Sequence, residues 1–317
     1  MPKETILGII ITFNPPIEFL SNLDALCKQV DRVLIVDNTS NADFSTYLTQ
    51  ELNNRDSIVE VIFNQLNLGV ATALNQAFNW GIINGYDYAV VFDQDSTPDS
   101  NMIQELLLVY KNYRNNKEKI AIVSPNIIDA QSNTPTRFLR KKNKFSFERV
   151  QCKQDFIDDV SLIITSGSLN DLSAYKEIGD FRDDFFIDYV DTEYCLRAKK
   201  FGFKILVACK ANLLHRLGNQ KLKRIGIFKV RPTFHSPLRW YYINRNRIIM
   251  HSLYAFRYPY WAIYDFMSGC YLMMKMLLFE DQKSRKIFAF FLGVVDGIFG
   301  RMGQITAYRE AQVSGRK

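Results

Sequence analysis

Four short apolar runs in the first hundred residues constrain this chain more than any other feature. They are Ile6 to Phe13, Arg32 to Asp37, Ile58 to Phe63 and Tyr88 to Phe92, rich in β-branched side chains. Runs this short, apolar throughout rather than alternating, read as strands buried on both faces. Segments with helical spacing separate them. Residues 16–28 carry Ile17, Leu20, Leu23, Leu26 and Cys27 at that spacing, and residues 43–54 and 70–83 follow the same pattern. A further helix runs from Pro98 to about Tyr113, and Ile120 to Val123 reads as another strand. Strands alternating with helices predict an α/β fold with a doubly wound, mostly parallel, Rossmann-like sheet.

In such sheets ligands collect at the carboxyl ends of the strands. Each run here closes on polar residues: Thr12 and Asn14, Asp37 and Asn38, Asn64 and Asn67, Asp93 and Asp95. Four such ends in succession predict a shared site. The sharpest is Val90-Val91-Phe92-Asp93-Gln94-Asp95, where a strand delivers two carboxylates to its exposed end. Carboxylate oxygens suit Mg²⁺ or Mn²⁺, and such a cation keeps positions open for phosphate oxygens. Gly69 stands before a helix N-terminus, where free N–H groups and the helix dipole favour phosphate.

The net charge of +7 conceals an asymmetry. Residues 1–110 hold 4 Lys/Arg against 14 Asp/Glu, whereas residues 200–317 hold 21 against 5. The five cysteines (Cys27, Cys152, Cys195, Cys209, Cys270) are scattered and odd in number, which reads as reduced thiols in a cytosolic protein. The first residues, Met1-Pro2-Lys3-Glu4, do not read as a signal peptide. Residues 131–155 are polar and basic and read as an exposed or mobile loop. A second αβ section is expected from about 156 to 217.

From 218 the chain is basic, aromatic and helical in pattern. Its strongly apolar stretches around Tyr258 to Trp261 and Tyr271 to Phe279 are interrupted by Asp265, Lys275 and Glu280 before reaching bilayer-spanning length. Helices lying in the interface, with Lys and Arg toward anionic headgroups, fit this composition better than nucleic-acid binding does. A helical interface between copies of the chain would use the same apolar faces.

Taken in order, the motifs resemble family-2 glycosyltransferases, the inverting nucleotide-sugar enzymes with a GT-A fold. The resemblance covers about residues 5–250. It rests on Ile11-Thr12-Phe13-Asn14, Val36-Asp37-Asn38, Asn67-Leu68-Gly69-Val70-Ala71, Phe92-Asp93-Gln94-Asp95 and Thr165-Ser166-Gly167-Ser168. Phe186-Ile187-Asp188-Tyr189-Val190-Asp191-Thr192-Glu193 and Leu214-His215-Arg216-Leu217-Gly218 complete it. The Asp-Gln-Asp triplet, the acidic motif and Tyr241-Tyr242-x-x-Arg245-Asn246 resemble the bacterial rhamnosyltransferase branch, whose members use dTDP-L-rhamnose to build O-antigen or related surface polysaccharide.

The resemblance implies a residue-level site. Asp95 and His215 would hold a divalent cation, with Asp93 on the metal's waters or the ribose. Thr12, Asn14, Asp37, Asn67, Gly69 and Gln94 would frame the donor nucleotide, and Arg245 would contact its diphosphate. Asp191 would be the catalytic base, with Asp188 the alternative; three residues apart, both can face one side of a helical turn. The family more often carries Glu-Asp where this chain has Val190-Asp191. Gly167 and Ser168 would shape the donor-sugar or acceptor floor, with Asp188 on the acceptor side. The implied organisation is a catalytic domain over 1–217, divided near 125 into donor and acceptor halves, then a membrane-associating helical region over 218–317. The implied setting is the cytoplasmic face of the cell membrane, and the implied acceptor a saccharide on a polyprenyl diphosphate. Three other readings stay open here: a UDP-sugar donor, a non-catalytic nucleotide-sugar-binding subunit, and a sugar nucleotidyltransferase, though the Gly-rich basic loop of that last class is absent from Ile6 to Asn14.

Overall fold

The computed structural model describes residues 4–16, 19–53, 58–114, 118–215, 223–225 and 228–315. Ile17 of the first expected helix and Gly218 of the last motif lie outside the described residues. The chain divides into two compact units. The first comprises 1–140, 149–183 and 191–216, and the second comprises 141–148, 184–190 and 217–317.

Up to His215, elements appear in the expected alternation. They are β1 (Ile6–Thr12), α1 (Phe19–Cys27), β2 (Arg32–Asp37), α2 (Ala42–Asn53), β3 (Val59–Phe63), α3 (Val70–Ile83) and β4 (Tyr88–Asp93). After these come β5 (Ser96–Pro98), α4 (Met102–Arg114), β6 (Ile120–Asp129), β7 (Thr134–Pro135), β8 (Phe138–Lys141), β9 (Phe147–Val150) and β10 (Phe156–Ile157). The series closes with β11 (Leu169–Asp171), α5 (Leu172–Ile178), α6 (Val190–Lys200) and β12 (Lys204–His215).

The main sheet runs β10-β12-β6-β11-β4-β1-β2-β3. β1 pairs in parallel with β2 and β4, β2 with β3, and β6 with β12. The short β11 lies antiparallel between β4 and β6, so β6 and β12 point the same way as β4. All six principal strands therefore present their carboxyl ends along one edge, which is what gathers a site there.

Both faces of the sheet are covered, as continuous apolar strands require. Every residue of β1 is buried. On one side Ile6 and Ile10 join Phe19, Leu23 and Leu26 of α1 and Met102 and Leu106 of α4 in a single core. On the other, α3 approaches so closely that a Cβ on Gly81 would sit 3.0 Å from the side chain of Leu7.

The basic segment 131–155 is more ordered than its composition predicts. It contributes β7 and the β8–β9 pair, and Cys152 is disulfide-bonded to Cys209 in β12. The expectation of reduced thiols throughout is thus corrected: partners 57 residues apart carry no local spacing signal, and only the fold brings their Cα atoms to 5.4 Å. Cys27, Cys195 and Cys270 are free. Burial pushes the Cys195 thiol up to about 12, so it stays protonated. Closing a loop of this length is worth up to about 4 kcal/mol through the unfolded chain. Oxidised Cys152→Ser protein should therefore melt several degrees below the parent in thermal unfolding; an unchanged Tm would show that the bridge contributes nothing.

The second unit holds the hairpin β13 (Lys223–Ile225) and β14 (Phe228–Val230), then α7 (Pro237–Tyr254), α8 (Pro259–Phe279), α9 (Lys283–Ile298) and α10 (Ala307–Ser314). Trp240, Tyr241, Tyr242, Met276, Ala289 and Val313 form its core. Gly293 and Gly297 let α9 lie directly on α7, since a Cβ there would meet the Tyr241 and Arg245 carbonyls at 2.4 and 2.7 Å. The interruption expected at Asp265 and Lys275 does not break the helix. α8 is one span of 21 residues and, among the described residues, the only helix long and apolar enough to cross a bilayer by length and composition. Its charges are absorbed internally. Asp265 accepts from Arg247, His251 and Tyr189, and Lys275 donates to the Arg231 carbonyl. Burial opposes ionisation of Asp265, but the hydrogen bond from His251 and the charge of Arg247 outweigh it and hold the carboxyl below its usual range.

Candidate active site

The predicted cation ligands converge. β4 ends at Asp93, a tight turn carries Asp95, and β5 then pairs antiparallel with the end of β12, setting His215 opposite Ser96. His215 Nδ1 lies 3.5 Å from Asp95 Oδ1, and Nε2 lies 3.8 Å from Asp93 Oδ2. One ligand atom from each of the three lies within 4.8 Å of the others. Two carboxylates and an imidazole at this spacing suit a hard or borderline divalent cation such as Mg²⁺ or Mn²⁺. The donor set fits the cation that the motifs imply.

The imidazole is held by groups the motif reading passed over. Ser96 Oγ is 2.8 Å from His215 Nδ1 and 2.6 Å from Ser166 Oγ, and Ser166 Oγ accepts from the Asp93 N–H at 3.1 Å. All three side chains sit almost wholly inside the protein. This relay fixes the ring and the strand end together, the usual task of groups behind a metal ligand. The signal was present in sequence: Ser96 follows Asp95 directly, and Ser166 lies within the Thr-Ser-Gly-Ser motif.

A second cluster joins the ends of β1 and β2. Asp37 is fully buried; its Oδ1 accepts from Thr12 Oγ1 at 2.6 Å and Thr39 Oγ1 at 2.8 Å. Thr39 Oγ1 in turn accepts from the Asn14 N–H at 2.8 Å. Asn14 itself is exposed in a left-handed conformation, with φ 45°. Asp37 therefore braces the frame, while Asn14 stands at its open surface. Gln94 bridges the two clusters, accepting from the Phe13 N–H at 2.9 Å. Asn67 Oδ1 accepts from the Gly69 N–H at 3.0 Å, and Gly69, at φ 85°, leads directly into α3. Asn38 Nδ2 ties this turn to β2 through the Gly69 carbonyl at 3.1 Å.

Gly167 and Ser168 are placed differently from the acceptor role expected of them. Ser168 is fully buried, with its hydroxyl donated to the Thr165 carbonyl at 2.6 Å. Gly167 takes φ 78°, and a Cβ there would stand 2.7 Å from Leu213 and Pro125. Both build the turn that carries Ser166 rather than a surface for an acceptor.

Asp191, in the first turn of α6, is partly buried, its Oδ1 accepting from the Thr192 N–H at 2.7 Å. The expected pairing of Asp188 and Asp191 on one helical face does not form. The helix starts at Val190, and Asp188 and Tyr189 sit before it at φ 61° and 63°. The Asp188 carboxylate is gripped by Arg239 at 3.0 to 3.3 Å in the second unit. Arg245 is likewise committed. It is fully buried, donating to the carbonyls of Asp184, Phe185 and Gly303, while Asn246 Nδ2 donates to those of Phe185, Ile187 and Asp188. Arg245 holds the strained backbone of the acidic motif, and its guanidinium is not offered to a diphosphate.

An open α/β sheet with its acidic and imidazole groups gathered at the strand ends places the chain among the GT-A glycosyltransferases. It belongs to glycosyl transferase family 2, whose family model matches residues 9–179. The chain is 28% identical over 259 residues to the dTDP-rhamnosyl transferase RfbF of Shigella flexneri, covering 78% of this chain and 80% of that one. It is 24% identical over 231 residues to the uncharacterized glycosyltransferase MJ1057 of Methanocaldococcus jannaschii, with 70% and 77% covered. Among solved structures, GalNAc-T7 with UDP, GalNAc and Mn²⁺ superposes with a TM-score of 0.57 at 12% identity, and Staphylococcus aureus TarS with 0.52 at 12%. The superpositions take in 76% and 87% of this chain but only 47% and 44% of those two proteins, and the likeness is one of fold.

Proposed function

We propose that this glycosyltransferase moves L-rhamnose from dTDP-L-rhamnose onto a polyprenyl-diphosphate-linked saccharide at the cytoplasmic face of the membrane, with inversion at the anomeric carbon. The observation that carries the reading is the convergence of Asp93, Asp95 and His215 at the carboxyl edge of the sheet. The similarity to a dTDP-rhamnosyl transferase over most of both chains supports the donor.

In this reading Asn14, Asn67, Gly69 and Gln94 line the nucleotide's place, with Thr12 and Asp37 bracing it from below. Asp93, Asp95 and His215 hold a divalent cation, which when bound neutralises charge on the departing nucleoside diphosphate. Asp191 accepts the proton of the acceptor hydroxyl as that oxygen attacks the anomeric carbon from the face opposite the leaving group. Ser96 and Ser166 keep the imidazole aimed at the carboxylates throughout.

The membrane part of the reading draws on the second unit. Ile263, Phe266, Met267, Tyr271, Met274 and Leu278 are exposed along α8, and Phe288, Phe291, Val295 and Ile298 along α9. At this spacing they form apolar stripes in a region rich in Lys and Arg, the composition of helices seated in an anionic interface.

A thermal-shift panel tests the donor. Saturation to a hundred times Kd adds about 2.7 kcal/mol to the folded state, a rise of several degrees for a protein of this size. With Mg²⁺ or Mn²⁺ present, dTDP and dTDP-L-rhamnose are expected to give that rise, and UDP and GDP much less. Equal or greater stabilisation by UDP would reassign the donor to a UDP-sugar. Stabilisation without turnover on any acceptor would reduce the protein to a binding subunit.

A further inference from the structure

The first unit contains a second concavity that the transfer chemistry leaves unused. It is a cleft of about 480 Å³ formed by residues at and beside β8, β9 and β10, and Arg137, Arg140, Arg149 and Lys153 line it. Among the described residues that line it, Asp158 is the only carboxylate, and it faces Arg140 at 3.5 Å. Among the described residues, Arg137, Arg149 and Lys153 have no carboxylate partner.

Several unneutralised cations converging on one concavity repel one another, and a chain free to move would spread them apart. This segment is not free. Cys152, directly before Lys153, is covalently joined to Cys209 of β12, and the Cys209 N–H donates to the Asp155 carbonyl at 2.9 Å. β10 completes the attachment by pairing with β12 at Val207 and Ala208. The charges are thus held together before any ligand arrives, the arrangement that makes anion binding inexpensive in ordering entropy. Guanidinium forks match phosphoryl oxygens in pairs, and the volume falls within the range of ligand sites, about 300–1,000 Å³, rather than that of a single ion.

The cleft is separate from the cation site. Phe156 and Ile157 of the cleft wall pair with Ala208 and Val207 of β12; a bulge between Ala208 and Asn212 shortens the path from there to His215, which leaves about 13 to 17 Å at ~3.3 Å per residue.

We propose that this cleft binds a phosphoryl anion, and that in the transfer reaction it receives the diphosphate of the acceptor while the sugar end reaches the strand ends. The second clause rests on the lipid-linked acceptor reading above; the first stands without it. The experiment separates them. Calorimetric titration of the full-length protein with inorganic pyrophosphate in EDTA should show binding that survives in Asp95→Asn. Binding should weaken about tenfold or more in Arg137→Gln/Arg149→Gln/Lys153→Gln, whose Tm should match the parent because these side chains are exposed or free of partners. Absent binding in the parent, or undiminished binding in the triple variant, overturns the proposal. Under turnover, the triple variant should raise KM for a diphosphate-bearing acceptor and leave kcat and the donor KM unchanged. An equal rise in KM for the same saccharide lacking diphosphate would overturn the acceptor assignment alone. Sedimentation with phosphatidylglycerol vesicles should be the same for parent and triple variant. A variant that lost vesicle binding but kept pyrophosphate would make the cleft a lipid-headgroup site and sink the proposal.

Discussion

Asp191→Asn should fold as the parent does and lose between about a hundredfold and ten-thousandfold in kcat, the range over which a positioned base contributes. The expected silence of the fold follows from local bonding. An amide has the same shape as the carboxylate and keeps the Oδ1 that accepts from the Thr192 N–H and hydroxyl. The donor KM should stay put, because Asp191 lies outside the cluster that would hold the nucleotide. Asp188→Asn is the contrasting case. Its carboxylate is nearly out of solvent and is matched by the Arg239 guanidinium, so the substitution breaks a structural ion pair in a segment with three left-handed residues. That variant should lower Tm with a smaller change in the kcat of the protein that remains folded. Steady-state kinetics beside thermal unfolding separates the two; wild-type turnover by Asp191→Asn would remove it as the base.

The strand ends were legible because their physics is local. A buried parallel strand must be apolar throughout, so the polar residue that ends it marks the place where the chain meets solvent. Thr12, Asp37 and Asp93 could be placed on one edge by that rule alone, and the sheet does align them. His215 came only from resemblance, since an imidazole that ends a strand looks the same in sequence whether or not a carboxylate lies opposite. The errors share a different cause. Arg245, Ser168 and Asp188 are polar residues inside recognisable motifs, and sequence does not say whether a polar side chain faces ligand or carries backbone. Arg245 and Asn246 answer carbonyls exposed by the left-handed turns at Phe186, Asp188 and Tyr189, a need that exists only once the chain is folded. The disulfide and the basic cleft were hidden for the same reason. Both depend on β10 and β12 lying side by side, and neither strand's composition announces the other.

Removing the cation should abolish transfer, and the way it fails should reveal the ligand set. Asp95→Ala takes away a carboxylate that shares the cluster with His215, and several kcal/mol of stabilisation at the leaving group would go with it. Four kcal/mol corresponds to about a thousandfold in rate. EDTA treatment should match that loss, with Mn²⁺ restoring the parent but not the variant. Ser96→Ala probes a subtler point. Its hydroxyl contacts His215 and Ser166 at the back of the site and touches no carboxylate oxygen of the cluster in the described contacts. Losing it frees the ring without removing a ligand, for which a fall of about 10- to 100-fold in metal affinity is expected. Electron paramagnetic resonance of bound Mn²⁺ measures that affinity without turnover, so a positioning defect can be told from a chemical one. Excess Mn²⁺ should then rescue the kcat of Ser96→Ala almost fully and leave Asp95→Ala inactive. Should EDTA-treated parent protein turn over at its normal rate, the carboxylates and imidazole at the strand ends would have to serve the donor by their own charges alone.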